Sequence, residues 1–239
     1  MQKSGQTEVL ESLRELVDPS HTALLVYDAN KVMIYGGSAL GAYASSPGDA
    51  NDTSHLGHLT SVPDMLPRWA SLVAAARQRG VPVIYTRQVW TEAEGAIEPT
   101  GPWLRYVSRR GLYPLSTFPL PENKGVAKPW DSSIIDEVSP QPGDQVLFKA
   151  RNNAFEGTPL EDILKSRKVK TVVVTGIATE SGIEGTCRLL LSKGFYAVVP
   201  TDCVSSSNPE LHRAALTYLD WSATAELTVV DDIISIWSA

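Results

Sequence analysis

Short, almost continuously apolar runs alternate along the chain with longer amphipathic stretches. The short runs are rich in β-branched and aromatic residues, a composition that is typical of strands. Because most of them are apolar at consecutive rather than alternate positions, they predict strands that are covered on both faces. The predicted strands are Thr22–Tyr27, Pro82–Thr86, Gln145–Lys149, Thr171–Thr175, Tyr196–Pro200 and Glu226–Val230.

The stretches between these runs have the periodicity and the terminal residues of helices. Val62–Arg79 places its apolar residues on one stripe, and the glycine that follows ends the helix. The sequence TPLE at 158–161 indicates a capping box, with Thr as the cap, Pro at the first helical position and Glu at the third. The dipeptide Asn208-Pro209 opens another helix.

Strands and helices that alternate in this way form βαβ units with right-handed crossovers. We therefore predict an α/β fold, a three-layer αβα sandwich around a Rossmann-like, mostly parallel, six-stranded sheet, in a single domain over residues 1–239. Two irregular segments interrupt the alternation, at about 36–60 and 90–128. Loops of this length usually form lids, substrate walls or subunit contacts, with simple surface insertion as the alternative.

Composition and charge restrict the class of partner. The chain has 239 residues, 43% of them hydrophobic, and a net charge of -6, so electrostatics would not attract it to nucleic acid or to an anionic membrane. No apolar stretch reaches the roughly 18–20 residues of a membrane span, and the polar N-terminus lacks the apolar core of a signal peptide. We expect a soluble, cytoplasmic protein with a small-molecule substrate and neither a nucleic-acid nor a membrane partner.

Residues that bind metals are sparse in the sequence. Cys187 and Cys203 are the only cysteines, too few for a disulfide framework or for a four-ligand zinc site. His55 and His58 lie in a polar, glycine-rich segment without the additional spaced ligands that a metal centre needs. The sequence therefore predicts neither a metal nor a cofactor.

Candidate chemistry lies where the predicted strands end, because ligands of open parallel sheets bind beyond the carboxyl ends of the strands. Asp28 follows the first strand, Lys149 ends the third, and 176–182 follows the fourth. An Asp and a Lys that meet there would hold each other charged, and the Asp would transfer protons. Backbone N–H groups at the helix start in 176–182 would stabilise an oxyanion. The alternative for Asp28 is a turn or cap residue.

The stretch Lys149–Thr186 resembles the core signature of the isochorismatase-like hydrolase superfamily. It contains the Lys, a small-Phe pair, a Thr-x-Leu helix start and a strand that ends in Thr-Gly-x-x-Thr. LLVYDAN, WDSSIIDEVSPQPGDQVLFK and PTDCVSS resemble further pieces of the superfamily in the same order, so the resemblance covers about 22–219. It implies that Asp28 is the proton-transferring carboxylate, that Lys149 is the catalytic lysine, and that a cis peptide joins Ile177 to Ala178.

One position departs from the pattern of most members of the superfamily, which are cysteine hydrolases with the nucleophile three residues after the last Thr of Thr-Gly-x-x-Thr. That position is Gly182 here. A glycine there resembles the isochorismatase branch, in which a carboxylate protonates a vinyl ether and water completes the hydrolysis. We expect Gly182 to line the oxyanion or water site together with the backbone around Ile177, Ala178 and Ser181.

Three other side chains are alternatives for the missing nucleophile. Cys187 is rotated by about 140° from Gly182 if both lie on one helix, since each residue turns the helix by about 100°, and a buried free cysteine is the favoured interpretation. Cys203 follows a strand and is expected to be a small packing residue. Ser181 adjoins the required position, with a helix-capping hydroxyl as its ordinary explanation.

Aromatic and basic residues near the loops are candidates for substrate binding, because Arg matches carboxylates bidentately and aromatic rings line ligand pockets. Together they would bind a carboxylated, ring-sized substrate. The alternative is that they stabilise the loops by stacking and ion pairing. The candidates are Arg87, Trp90, Trp103, Arg105, Tyr106, Arg151 and Phe155.

These observations predict a small-molecule hydrolase that uses Asp28 and water without a Cys nucleophile, with vinyl ether hydrolysis as the narrow version. One alternative is a C–N hydrolase that uses Asp-activated water or Ser181. A second is a catalytically silent ligand-binding or scaffold protein, which the presence of both Asp28 and Lys149 disfavours. We also expect a homo-oligomer with 90–128 near its interface, because ordering each loop residue costs about 1–2 kcal/mol, which burial against a partner would offset.

Overall fold

The computed structural model describes residues 9–34, 62–89, 102, 105, 133–206 and 208–239. Within them lies a seven-stranded sheet in which neighbouring strands run parallel. The strands are β1 Thr22–Tyr27, β2 Val83–Gln88, β3 Gln145–Lys149, β4 Thr171–Ile177, β5 Tyr196–Pro200, β6 Val204–Ser205 and β7 Glu226–Thr228. The helices are α1 Leu13–Leu16, α2 Lys31–Ile34, α3 Val62–Gln78, α4 Leu160–Ser166, α5 Glu184–Ser192, α6 Pro209–Trp221 and α7 Val230–Ser238.

The strand order is β3-β2-β1-β4-β5-β7, and β6 pairs with β4 beside this path. All predicted strands are present, although the last ends at Thr228 rather than at Val230, which begins α7, and the α/β fold with its parallel sheet is confirmed. The prediction of six strands is wrong, because the two-residue β6 follows a short helical turn and shows no hydrophobic periodicity. Strands β2 and β4 also extend beyond the predicted ends, to Gln88 and Ile177, through polar and glycine residues that interrupt the apolar runs.

Two apolar clusters cover the two faces of the sheet, because successive residues of a strand point to opposite sides. In β1, Leu24 and Val26 pack with Trp69 of α3 and Trp237 of α7 in the first cluster. Leu25 belongs to the second cluster, which includes core residues of α4, α5 and α6. The predicted three layers are therefore present.

Helix boundaries follow from local hydrogen bonds. The Asn208 side chain caps α6 by accepting from the backbone N–H groups of Glu210 and Leu211, each at 3.0 Å, as its Asn-Pro start predicts. At α4, the Thr158 hydroxyl accepts from Leu160 N at 3.3 Å. The predicted capping box is not formed, because Pro159 rather than Thr158 is the N-cap of α4 and Glu161 forms ion pairs with two lysines instead of returning to the cap.

The register of the central strands brings polar residues together at one edge of the sheet. Tyr27 at the end of β1 lies between Thr86 of β2 and Gly176 of β4, and Gln88 lies beside Lys149 of β3. Gly176 has φ +119°, and a Cβ atom on it would lie 2.8 Å from the carbonyl carbon of Tyr27 and closer still to its oxygen. Glycine is therefore required where β4 passes the end of β1.

We predict that Gly176→Ala destabilises the protein far more than Gly143→Ala. Both glycines have positive φ, but a Cβ on Gly143 would meet nothing within 4 Å. The φ penalty of about 1–2 kcal/mol applies to both variants, whereas overlap with Tyr27 adds about 1–3 kcal/mol at Gly176 alone. Urea unfolding measures the difference, and equal losses would show that the close approach of the strands does not constrain this position.

Candidate active site

Asp28 and Lys149 form an ion pair at the carboxyl edge of the sheet. The Lys149 Nζ lies 2.7 Å from Asp28 Oδ2, and the two residues are only 2% and 3% exposed. Asp28 directly follows β1 and has φ +51°, a left-handed conformation that Asp tolerates better than most residues. The structure thus brings together the two residues that the sequence selects as the centre of the site.

The carboxylate of Asp28 has a second fixed contact. The Thr86 hydroxyl donates to Asp28 Oδ1 at 2.8 Å and accepts from the Asp28 backbone N–H at 3.0 Å. Each carboxylate oxygen therefore accepts one hydrogen bond, from Thr86 or from Lys149. Because a carboxylate oxygen has more than one lone pair, Asp28 retains capacity to accept from a water or a substrate.

The Lys149 ammonium is held from several directions. It donates to Asp28, to Gln88 Oε1 at 2.7 Å and to the Arg151 carbonyl at 3.0 Å, which matches the three donors of an ammonium. The ring of Tyr27 lies beneath it, with 4.6 Å from Nζ to the centroid, in a cation–π contact. Lys149 is thus fixed, and its position sets that of the Asp28 carboxylate.

Burial changes the acid–base properties of both groups. Loss of solvent raises the pKa of Asp28, while the positive charge and hydrogen bond of Lys149 oppose the rise. Loss of solvent also lowers the pKa of Lys149, while Asp28 opposes the fall. The two pKa values therefore move toward each other, which favours proton transfer to and from Asp28.

A turn of π-helix lies beside this pair and continues into α5. It spans Thr179–Ile183 and follows a cis peptide between Ile177 and Ala178, as the resemblance implies. The Ala178 carbonyl accepts from the backbone N–H groups of Ser181 and Ile183, each at 3.2 Å. Because the turn starts directly after β4, the positive end of its dipole lies at the carboxyl edge of the sheet, where it would favour an anion.

Side chains anchor this turn to the rest of the fold. The Thr179 hydroxyl donates to the Ser205 carbonyl of β6 at 3.0 Å and lies 2.8 Å from His212 Nδ1 of α6. Gly182 is buried, and Ser181 is half-buried. Strand β6, which the sequence analysis missed, therefore holds the predicted oxyanion segment in place.

Both cysteines are buried, as predicted for packing residues. Cys187 lies in the second apolar cluster and Cys203 in the first, and neither is solvent-exposed. Burial raises the pKa of each thiol well above its usual range. The reactive thiolate form is therefore disfavoured at both positions.

The predicted substrate residues occupy varied positions. Arg87 lies within β2 rather than after it, and its guanidinium is 5.4 Å from the Phe148 ring centroid, on the sheet face opposite Lys149. The Arg151 guanidinium donates to the Ala150 carbonyl at 2.9 Å, while its own carbonyl binds Lys149. The Phe155 ring packs against the second apolar cluster, with the Lys193 ammonium 5.3 Å from its centroid. Their roles in substrate binding remain predictions.

The other aromatic candidates cannot be placed in the site. Trp90, Trp103 and Tyr106 lie outside the described residues, as do both irregular segments apart from two positions. Arg105 is one of these two, and it is exposed.

Sequence reasoning missed three residues of the site: Tyr27, Thr86 and Gln88. Thr86 and Gln88 are alternate residues of β2, so their side chains point to the same face of the sheet. On that face they contact Asp28 and Lys149 respectively. Two alternate polar residues at the end of an otherwise apolar strand are the signal in the sequence that could have identified Thr86 and Gln88 as residues of the site. Tyr27 gave none, because an aromatic residue in an apolar run is typical of an ordinary core strand.

The Rossmann-like parallel sheet carries a buried Asp–Lys pair and a helix start at its carboxyl edge, where ligands of such sheets bind. The isochorismatase domain family matches residues 22–232 of this chain. The chain therefore belongs to the isochorismatase-like hydrolases, which confirms the superfamily assignment and the prediction of a hydrolase.

Individual relatives are consistent with this assignment. The ureidoacrylate amidohydrolase RutB of Methylobacterium radiotolerans is 34% identical over 212 residues, which cover 86% of this chain and 77% of that protein. A cysteine hydrolase from Pseudomonas syringae pv. phaseolicola has a similar fold, with a TM-score of 0.68 and 21% identity over 98% of this chain and 99% of its own. The N-carbamoylsarcosine amidase of Thermoplasma acidophilum has a TM-score of 0.61 and 21% identity, covering 88% and 97% of the two chains.

Two other features are absent from the described residues. None of the helices there is long and apolar enough to cross a bilayer. Across the same ranges, no cluster of His, Cys, Asp and Glu side chains has the arrangement of a metal centre.

We predict that Lys149→Met lowers the free energy of unfolding by about 3–5 kcal/mol, because it leaves the carboxylate of Asp28 buried without its cation. Adding Asp28→Asn should restore most of this loss, because the double variant no longer buries a single charge. Urea unfolding of the wild type, both single variants and the double variant measures the coupling.

Lys165→Met is the matched control, since Lys165 pairs with Glu161 at 2.6 Å but its side chain is 60% exposed. We expect that substitution to change stability by less than about 1 kcal/mol. A loss at Lys149 as small as the loss at Lys165 would contradict the assignment of a buried, tightly coupled pair.

Proposed function

We propose that this protein hydrolyses a C–N bond in a small, carboxylated amide or ureido compound, and that Asp28 activates the attacking water directly. The observation that carries the proposal is the buried Asp28–Lys149 pair, whose lysine lies on the Tyr27 ring that also packs against Gly182 of the turn. The choice of a C–N bond is supported by the 34% identical relative, whose name specifies the amide hydrolysis of ureidoacrylate. This choice differs from the vinyl ether hydrolysis that the glycine at 182 favours in the sequence.

In this reaction Asp28 accepts a proton from water while the water oxygen bonds to the carbonyl carbon of the substrate. The carbonyl π electrons move to its oxygen, which becomes an oxyanion stabilised by the helix dipole and by backbone N–H groups of 178–182 other than that of Ser181, which donates to the Ala178 carbonyl. Asp28 then donates its proton to the nitrogen as the C–N bond breaks. The products are an acid and an amine or ammonia, and Asp28 returns to its ionised form.

Lys149 acts on Asp28 rather than on the substrate in this scheme. Its donors are engaged by Asp28, Gln88 and the Arg151 carbonyl. A fixed positive charge at 2.7 Å stabilises the carboxylate when it is ionised, and the low polarity of the site favours its protonation. Asp28 can therefore serve as base and as acid within one turnover.

The proposal needs no nucleophilic side chain. Gly182 supplies none, and burial keeps the thiols of Cys187 and Cys203 protonated. Ser181 is the alternative nucleophile, and it is half-buried in the turn next to Gly182. In that alternative mechanism, Asp28 would accept the proton of the Ser181 hydroxyl instead of a proton from water.

A second candidate function is the hydrolysis of a vinyl ether. The observation in its favour is that burial raises the pKa of Asp28, which keeps a carboxylic acid available as a proton donor. Asp28 would then protonate the alkene carbon, and water would add to the resulting oxocarbenium ion while it returns a proton to Asp28. The C–O bond of the hemiketal would then break, which releases an alcohol and a carbonyl compound. The two functions demand opposite starting protonation states of the same group.

We predict that Asp28→Asn lowers kcat/KM by about 100- to 10,000-fold on the best substrate, because it removes the proton acceptor. The measurement is the rate of substrate loss across a panel of ureido acids, amides, cyclic imides and vinyl ethers, with release of ammonia or amine measured for the ureido acids and amides. Asp136→Asn is the control, since Asp136 forms an exposed ion pair with Lys31 and should leave the rate unchanged.

The pH dependence of kcat/KM in the same panel separates the two functions. If Asp28 starts as a base, the rate falls as pH drops through its raised pKa, at a pH above the value of about 4 for an ordinary Asp. If Asp28 starts as an acid, the rate falls as pH rises through that pKa. Turnover of vinyl ethers alone, lost at high pH, would overturn the C–N proposal.

A further inference from the structure

The aromatic ring of Tyr27 occupies the centre of the candidate site. Tyr27 is the last residue of β1 and is 1% exposed. Its ring packs in the second apolar cluster with the Lys149 ammonium 4.6 Å from the centroid, and its hydroxyl donates to the Asn152 carbonyl. The ring is therefore held at both ends and has little freedom to move.

The same ring fills the space next to Gly182. A Cβ atom on Gly182 would lie 2.6 Å from the Tyr27 hydroxyl oxygen and nearer still to ring carbons Cε1 and Cζ, closer than real Cβ atoms approach other atoms. Three residues later, a Cβ on Gly185 would meet nothing within 4 Å. The absence of a side chain at 182 is thus a steric requirement of Tyr27.

We propose that Tyr27 is a positioning residue of the water-activating site: its ring takes the space that a nucleophilic side chain at 182 would need, and its face holds the Lys149 ammonium against Asp28. This inference rests on the proposed function. It explains why this site, which has an Asp–Lys pair and an oxyanion-type turn, has no side chain at position 182 of that turn. The Tyr27 ring and a side chain at position 182 would occupy the same space, and in this chain the ring occupies it.

Thermal unfolding of combined variants tests the steric part. Gly182→Ala should lower Tm by about 5–10 °C in the wild-type background. It should cost nearly as much with Tyr27→Phe, because Phe keeps Cε1 and Cζ, and much less with Tyr27→Leu, which lacks all three clashing atoms. Gly185→Ala is the matched control and should have the same small effect in every background.

The electrostatic part is tested by the titration of Asp28. The ring face stabilises the charged form of Lys149, and that charge favours ionised Asp28. Tyr27→Leu should therefore raise the pKa of Asp28, by about 1 pH unit, whereas Tyr27→Phe should leave it close to the wild-type value. NMR of carboxyl-labelled aspartate measures this without substrate, with Asp28→Asn providing the assignment.

Lys149 is the charged group that acts on Asp28 within the described residues. Other nearby cations have partners of their own: Lys31 pairs with Asp136 at 2.8 Å, and the Arg151 guanidinium donates to the Ala150 carbonyl. A shift in the Asp28 titration on loss of the ring therefore reports on the Tyr27–Lys149 contact.

Two results would overturn the proposal. The first is a cost of Gly182→Ala that is the same with Leu as with Tyr at position 27. The second is an Asp28 titration that Leu leaves unchanged or that Phe displaces as much as Leu does. Both measurements are made without substrate, so they can fail independently of the proposed function. If no substrate of the panel is turned over in an Asp28-dependent way, the proposed function fails and the role of Tyr27 is still tested by these two measurements. If turnover depends on Asp28 but Tyr27 is coupled neither to position 182 nor to the pKa of Asp28, the role of Tyr27 alone fails.

Discussion

Two opposite charges lie almost wholly out of water where β1 and β3 end, and the surrounding structure satisfies the demands that such burial makes. Removing an ion from water costs several kcal/mol even in a relaxed protein, so the pair is stable only if the remaining donors and acceptors are also bonded. Thr86 supplies the second bond to Asp28, and Gln88 and the Arg151 carbonyl complete the shell of Lys149. Three neighbouring strands must therefore end in register for the pair to exist.

Close packing around Tyr27 connects this pair to the oxyanion segment. The carbonyl of Tyr27 excludes a side chain at Gly176, and its ring excludes one at Gly182. The strand that delivers Asp28 thus also determines how closely β4 and the following turn approach. In our proposal the same packing leaves water as the nucleophile, since position 182 has no side chain.

Continuous apolar runs were sufficient to predict most of the sheet, because strands that are covered on both faces have few polar interruptions. The ends of these predicted strands selected Asp28 and Lys149, and the resemblance of the short motifs added their roles and the cis peptide after Ile177. Strand β6 was not predictable, since two residues carry no period. The role of Tyr27 was equally hidden, because it depends on a contact with position 182 that only the tertiary structure creates.

The most direct test of direct water activation by Asp28 is mass spectrometry of the enzyme during and after turnover in water enriched in heavy oxygen. The account predicts heavy oxygen in the released acid, no adduct on the chain after rapid quenching, and no heavy oxygen in the peptide that contains Asp28. A covalent adduct on Ser181 or on either cysteine would contradict it, because a side chain would then be the nucleophile. Heavy oxygen in the carboxylate of Asp28 would contradict it as well, since that label enters only when the carboxylate itself has attacked the substrate and been released by water.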